Sequence, residues 1–335
     1  WDPAVPRSNH FALVQWAQWA VFGIAALAFW LGANLLNDRR WLEQAAWTFI
    51  WLGGTLAVLR CIPGTGGVLS RFATISTIRA PFWVLLAGLV GGQLWFNKSL
   101  SVWRRLFLWF FLGSVIWYAF VTQREAASNW MGVAATLAVL LWLRYRRLRW
   151  LMAALVLGLL IAGTLIPAVY EFAGGAGEWF LSGGSRMALI NRVLAVTMRN
   201  PITGLGPASY RNYAMMEPLR YGGANWLGPQ VNSHNNYVDI FAHTGLVGFG
   251  LFMWTMVAIG KTTWRASHRL SEDMWLHGYA CGMAGAWVGS LVIMVLADWI
   301  LPHVYNIGFA GFQAALPVWI FWGGMAGEQA QHEVP

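Results

Sequence analysis

Nine apolar runs recur along the chain, and most reach the roughly 18 to 20 residues that a helix needs to cross a bilayer. Lipid offers no partners to backbone N–H and C=O groups, so runs this long and uniformly apolar indicate helices rather than barrel strands. The pattern predicts an all-α polytopic membrane protein with about nine transmembrane helices. The predicted spans are about 12–36, 41–61, 80–97, 106–122, 130–144, 150–170, 236–260, 275–300 and 304–325.

The composition fits this class. Of the 335 residues, 58% are hydrophobic and 10% are charged, whereas soluble domains carry about a quarter charged residues. Many of the 24 tryptophans lie near the ends of predicted spans, where an amphipathic indole anchors a helix at the headgroups. The net charge of +9 is scattered between spans, which favours membrane lipids as partners and argues against nucleic acid.

Cysteine and histidine spacing predicts neither a disulfide nor a metal site. Cys61 and Cys281 have no paired spacing, and the chain contains no Cys-x-x-Cys or His-x-x-x-His motif. We therefore expect no cofactor and no metal.

The basic loop residues fall on one side of the membrane when nine spans are threaded alternately, and the positive-inside rule makes that side cytoplasmic. The interval 171–235, between the sixth and seventh spans, then faces the periplasm or the cell exterior. Three units follow, namely N-terminal helices in 1–170, an extracytoplasmic loop subdomain in 171–235 and C-terminal helices in 236–335. Because the chain begins with Trp1 and not with methionine, we expect further residues upstream. The basic groups are Arg39 and Arg40; Lys98, Arg104 and Arg105; the run 144–149; and Lys261, Arg265 and Arg269.

The polar interval carries five arginines and no lysine, which favours recognition of phosphate by planar guanidinium forks. Apolar residues at spacings of three and four predict a helix from about Arg186 to Arg199, which ends at Asn200-Pro201 because a proline disfavours helical dihedrals in the residue before it. The glycine-containing turn 202–207 is interpreted as a packed surface loop. The arginines are Arg186, Arg192, Arg199, Arg211 and Arg220.

The tripeptide Ser233-His234-Asn235 precedes the seventh span and places an imidazole where water meets hydrocarbon, a position suited to proton transfer beside a lipid-borne substrate. The alternative is that His234 caps the helix, a role that its neighbours could also fill. Asp239 and His243 lie one helical turn apart and could pair structurally or serve function.

The order of these motifs resembles the O-antigen ligase and polymerase superfamily. Arg186 is followed after fourteen residues by Pro201, then by Gly204-Leu205-Gly206-Pro207, then by His234-Asn235, and after nine more residues by Gly245-x-x-Gly248. Upstream, Arg124 opens an outer-face helix and is similar to the family's Ser-Arg-Gly-type motif, although this chain has Gln123 and Glu125 in the flanking positions.

The resemblance implies a polytopic transferase of GT-C-like fold in the bacterial cytoplasmic (inner) membrane. Such an enzyme moves a glycan from an undecaprenyl-diphosphate-linked donor, without a metal, to a glycan, lipid or protein acceptor on the extracytoplasmic face. The roles carried over are neutralisation of the diphosphate by Arg124 and Arg186 and deprotonation of the acceptor hydroxyl by His234, with Asn235 orienting His234 or the sugar. Arg211 and Arg220 are further candidates for substrate contacts.

Structural alternatives accompany these roles. Arg124 could anchor the helix on lipid headgroups, Arg186 could be a solvated surface charge, and Gly245 and Gly248 are interpreted as small residues for close helix packing. Asp298 and His303 could line the acceptor side. At the level of function, the alternatives are a non-catalytic membrane subunit of a larger complex and a transporter, although paired interrupted spans typical of transporters are absent from the pattern.

Overall fold

The computed structural model describes residues 5, 7, 10–72, 79–172, 184–216, 233–270, 274–306 and 308–333. Within these ranges the chain forms helices and connecting turns, with no strand. The first eight helices are α1 Phe11–Leu35, α2 Arg39–Cys61, α3 Gly66–Phe72, α4 Ala80–Phe96, α5 Val102–Trp117, α6 Ala127–Arg144, α7 Arg149–Ile161 and α8 Leu165–Phe172. The remaining five are α9 Gly184–Thr197, α10 Tyr210–Met216, α11 Asn236–Arg269, α12 Met274–Leu296 and α13 Gly308–Glu333.

The all-α membrane class is confirmed, and each predicted span contains a helix. Among the described residues, five helical segments are long and apolar enough to cross a membrane, namely α1, Val102–Thr122, α11, α12 and α13 as far as Gln331. Helices α7 and α8 would add a sixth span, but they meet at a bend of 87°. Helices α2, α4 and α6 are shorter or more polar, so the count of nine spans stays a prediction.

Helix α4 lies at the centre of the bundle. Its residues from Ala80 to Leu94 are buried on every side, as expected for a helix that is apolar all round. It packs mainly against α12 and α6. At Gly92 a side chain would collide with the backbone of α12, so the glycine permits the two helices to approach closely.

Helix α9 confirms the helix predicted over about Arg186–Arg199. It spans Gly184–Thr197 and stops before Pro201, as the proline predicts. Val193 and Val196 pack with Leu205 from the following turn and with Ala242 of α11, forming a small core separate from the main one. Helix α9 and the turn that follows it are thus attached to the first part of α11.

Helix α11 is broken at Gly245, where φ is +66° and ψ is −169°. The turn after α9 supplies backbone partners to the broken helix through four hydrogen bonds. They are Leu205 N to Ala242 O at 2.8 Å, Gly206 N to His243 O at 3.1 Å, Leu246 N to Pro201 O at 2.9 Å and Val247 N to Ile202 O at 3.2 Å. The turn 202–207 is therefore packed against α11, in agreement with its interpretation as a packed surface loop, and it also supplies hydrogen-bond partners to the helix.

The interpretation of Gly245 and Gly248 as helix-packing residues was wrong. A side chain at Gly245 would clash with the backbone carbonyl of Ile202, and its backbone angles fall in a region that is essentially restricted to glycine. A side chain at Gly248 would meet Thr244 of the same helix. Gly245 is therefore required by the break in α11 and not by a neighbouring helix.

The last two predicted spans were extended too far into the connection between them. Helix α12 ends at Leu296 and α13 begins at Gly308. The segment between them, here called the 297–306 loop, buries Asp298 and His303. The apolar residues of this loop resemble those of a membrane span in sequence. Its backbone is not helical, and its buried polar groups stabilise that conformation.

Candidate functional site

His234 lies immediately before α11 with a positive φ of 53°. Among the described residues other than glycine, it shares this property only with Ala208. Such a conformation costs about 1 to 3 kcal/mol and persists where the surrounding structure enforces it. The capping alternative for His234 does not hold, because Asn235 is the N-cap and its Oδ1 accepts from the backbone N–H groups of Tyr237 and Val238.

Asparagine side chains join the start of α11 to the end of α12 and the 297–306 loop. Asn235 Nδ2 donates to the carbonyl of Val295 at 3.0 Å. Asn236 is fully buried, donates to the carbonyl of Leu301 at 2.9 Å and accepts the N–H groups of Ile300 and Leu301. The backbone that follows His234 is therefore fixed against the end of α12 and the 297–306 loop.

The partner of the His234 ring is an asparagine of this loop. Asn306 Nδ2 lies 3.0 Å from His234 Nδ1. The same Nδ2 donates to Asp298 Oδ1, and Asp298 Oδ2 accepts the backbone N–H of His303 at 2.8 Å. A relay of three polar side chains, His234–Asn306–Asp298, thus extends from the boundary of the bundle into its interior.

Asp298 is completely buried. Burial raises the pKa of Asp298 to about 7, and the hydrogen bonds from His303 and Asn306 and the charge of Arg79 oppose that rise. Asp298 also interacts electrostatically with Asp239, whose Oδ1 accepts from the Ser233 hydroxyl at 2.7 Å. Asp298 can therefore change its charge near neutral pH.

Two buried histidines stack behind the relay. The rings of His243 and His303 lie 4.4 Å apart at 23°. Burial lowers the pKa of His303 well below its ordinary value, and His243 lowers it further, so the ring is neutral. His243 Nδ1 lies 2.8 Å from the backbone carbonyl of Asp239, so the pairing predicted for these two residues runs through the backbone rather than the carboxylate.

Helix α1 holds the site from the other side. Gln18 is fully buried, donates to the carbonyl of Pro302 at 3.2 Å and accepts the N–H of Val304 at 2.8 Å. One turn earlier, Gln15 donates to the Ser209 hydroxyl at 3.0 Å. Hydropathy did not reveal that Gln18 of this helix binds the 297–306 loop and that Gln15 binds the turn before α10.

Arg211 is brought to the same loop. Its Nη2 donates to the carbonyl of Tyr305 at 3.2 Å, and its guanidinium lies 3.8 Å from the centre of the Tyr305 ring. Burial lowers the pKa of Arg211 from its ordinary value, and Tyr305 opposes that change. Tyr305 directly precedes Asn306, so Arg211 contacts the neighbour of the residue that contacts His234.

Arg124 lies at the same end of the bundle but does not contact His234 directly. Its side chain is exposed, and its backbone carbonyl accepts the indole N–H of Trp130 at 3.0 Å. Close by in α6, a side chain at Gly132 would meet Ile293, near the end of α12 that Asn235 contacts. This placement is compatible with both the diphosphate role and the anchoring role of Arg124.

The roles of Arg186 and Arg220 stay predictions. The backbone of Arg186 belongs to α9, but its side chain lies outside what the structure describes, and Arg220 lies outside the described residues altogether. Arg192, which the sequence did not rank above the others, is buried in α9 with 1% of its surface exposed. A buried arginine is costly unless it is paired, so Arg192 has a specific structural place.

Sequence reasoning missed Asn306 and Arg79. Asn306 has neutral neighbours and no motif, so only its distance to His234 identifies it. Arg79 lies 5.3 Å from the Trp299 ring and acts on Asp298, but in sequence it is one basic residue before an apolar run. Among the described residues, no three His, Cys, Asp or Glu side chains are grouped so as to hold a metal ion.

Comparison with protein-family models identifies a family that part of the chain resembles. Residues 124–253 match a family model described as O-Antigen ligase. The matched segment begins at Arg124, contains Arg186 and His234, and ends in α11 beyond the break at Gly245. The search of the curated proteins found no match. The family implies glycan transfer of the ligase or polymerase kind, from a lipid-linked glycan donor to an acceptor. The resemblance predicted from motif spacing is confirmed for residues 124–253, which are similar to the O-antigen ligase family.

Proposed function

We propose that the chain is a glycosyltransferase of GT-C-like fold in the bacterial cytoplasmic membrane. It moves a glycan from an undecaprenyl-diphosphate donor to an acceptor hydroxyl on the extracytoplasmic face, without a metal ion. The observation that carries the proposal is the strained His234, which contacts Asn306 and lies inside the O-antigen ligase domain. A strained titratable residue held by polar partners is typical of a functional site.

In the proposed reaction His234 removes a proton from the acceptor hydroxyl as its oxygen attacks the anomeric carbon. The bond from that carbon to the diphosphate oxygen breaks, and undecaprenyl diphosphate leaves with the electron pair. Arg124 and Arg186 neutralise the charge that grows on the diphosphate, which guanidinium forks can do by bidentate hydrogen bonds. Asn235 holds the start of α11 to the end of α12, and Arg211 holds the 297–306 loop at Tyr305. Arg220 contacts the substrate.

The amide of Asn306 sets which ring nitrogen of His234 carries the proton. With Nδ2 towards the ring, His234 Nδ1 accepts and the proton of the neutral ring is on Nε2. With Oδ1 towards the ring, Nδ1–H donates and Nε2 has a free lone pair that can act as a base. An ionised Asp298 requires Nδ2 of Asn306, whereas a protonated Asp298 can donate to Oδ1.

We therefore expect the transfer rate to fall as the pH rises above about 7, because Asp298, with its pKa raised to about 7, loses its proton there. Asp298→Asn should abolish this alkaline fall, because an amide donates to Asn306 at every pH and still accepts from His303. The measurement is the pH profile of glycan transfer for both proteins. An alkaline limb that is unchanged in the variant would contradict the role of Asp298.

The test of the function itself is reconstitution of the purified chain in vesicles with a lipid-linked glycan isolated from the membranes of the source organism. We expect release of undecaprenyl diphosphate and a matching mass increase on an acceptor, in the presence of EDTA. Offering glycan, lipid and protein acceptors separately distinguishes ligase, polymerase and protein glycosyltransferase. Absence of turnover with every acceptor would favour the non-catalytic subunit.

A further inference from the structure

A cavity of about 540 Å³ lies at the end of the bundle away from His234. Helix α12 relates the two places, because His277 lines the cavity while Val295, 18 residues further along the helix, accepts the hydrogen bond of Asn235. At 1.5 Å per helical residue this separation is about 27 Å. The cavity therefore belongs neither to the proposed reaction nor to the substrate contacts described above.

The cavity is strongly basic. Its described lining contains six cationic or titratable nitrogen side chains and no carboxylate, and they are Lys98, Arg144, Arg146, Arg149, His268 and His277. Glu272 and Asp273 precede α12 in the sequence and lie outside the described residues; even with both counted, the four permanent cations leave the group positive. Clustered cations repel one another unless an anion is bound among them.

One cation of the cavity is held in position by the protein. Arg149 Nε donates to the carbonyl of Trp142 at 2.7 Å, and the guanidinium lies 5.7 Å from the centre of the Trp142 ring. The Nε bond leaves the two terminal nitrogens of the fork available for a second acceptor. Among the described residues, no ion pair engages Lys98, Arg144 or Arg146.

Most of the remaining wall is apolar, formed by Trp95, Phe96, Leu143 and Met274, and Ser267 and Cys281 complete it. A basic pocket between transmembrane helices with an apolar wall matches an amphiphilic anion, whose phosphate contacts the cations while its hydrocarbon lies on the wall. We propose that this cavity binds the phosphate group of an anionic ligand, with the headgroup of an anionic phospholipid as its occupant. This assignment is independent of the transfer reaction.

The test compares binding to the purified full chain in detergent of three probes: short-chain phosphatidylglycerol, phosphatidylcholine of the same chain length and inorganic pyrophosphate. Arg144→Gln/Arg146→Gln should weaken phosphatidylglycerol binding about thirtyfold, since two cations near a lipid phosphate are lost. The matched control is Arg105→Gln/Arg265→Gln, which removes the same charge from exposed positions outside the cavity and should change affinity by less than about threefold.

Each outcome decides the proposal. Variant-sensitive binding of phosphatidylglycerol but not of phosphatidylcholine or pyrophosphate supports the lipid headgroup. Variant-sensitive binding of pyrophosphate supports a phosphate site filled from solution. Equal weakening in both double variants would show a diffuse surface charge, and no weakening in Arg144→Gln/Arg146→Gln would show that the cavity binds no phosphate; either result overturns the proposal. Unfolding midpoints confirm that both variants are folded.

Discussion

Replacing His234 by alanine is expected to lower the rate of glycan transfer by about 10² to 10⁴, the range typical of a lost general base. The physical reason is that the acceptor hydroxyl is a weak nucleophile until its proton is removed, and the other two histidines at this loop, His243 and His303, are buried. The measurement is the release of undecaprenyl diphosphate under single-turnover conditions. Added imidazole should restore part of the lost rate.

The matched control is His10→Ala. His10 is exposed and precedes α1, at the end of the bundle where Gln15 and Gln18 contact the site, yet its side chain forms no cap hydrogen bond. This variant should keep the rate of the unmodified protein. A His234→Ala protein that is folded and transfers glycan at the rate of the control would remove the proposed base, and the chain would then resemble an assembly subunit.

Gly245→Ala is expected to destabilise the protein by about 3 kcal/mol or more. The added methyl group would force an L-residue into backbone angles reserved for glycine and push against the carbonyl of Ile202. Because this carbonyl accepts the N–H of Val247, the turn and the helix cannot separate without loss of hydrogen bonds. The measurement is thermal unfolding in detergent, together with transfer activity.

Gly250→Ala is the control for this variant. Gly250 lies five residues later in the same helix, and a side chain there meets nothing within 4 Å. Alanine favours a helix over glycine by up to about 1 kcal/mol, so this change should be neutral or stabilising. If Gly245→Ala unfolds at the same temperature as Gly250→Ala, the break in α11 is not needed for stability.

Periodicity and proline predicted local structure well. Helix α9 was expected over about Arg186–Arg199 and is found at Gly184–Thr197, because its apolar spacing and the Asn200-Pro201 stop are local signals. The break at Gly245 could not be predicted, because the hydropathy of 236–260 is continuous across it. What decides the break is the pairing with residues 201–206, a contact between segments about 40 positions apart.

Only those residues of the candidate site that belong to a sequence motif could be predicted. His234 was found because polar residues precede an apolar run, and its alternative role as a cap was excluded once Asn235 was found to cap α11. Asn306 has no such signal, and the loop that carries it was assigned in part to a transmembrane span. Hydropathy scores each side chain without regard to its hydrogen-bond partners. It therefore could not predict that polar side chains such as Gln18 and Asp298 are buried.

The backbone hydrogen bonds between residues 201–206 and the broken part of α11 have a consequence for biogenesis. Two carbonyls and two N–H groups of α11 hydrogen-bond to the turn, and a backbone group left without a partner would cost several kcal/mol in hydrocarbon. If residues 236–244 entered the bilayer as an autonomous segment, they would do so without these hydrogen bonds. We therefore expect this segment to insert together with the earlier-synthesised turn.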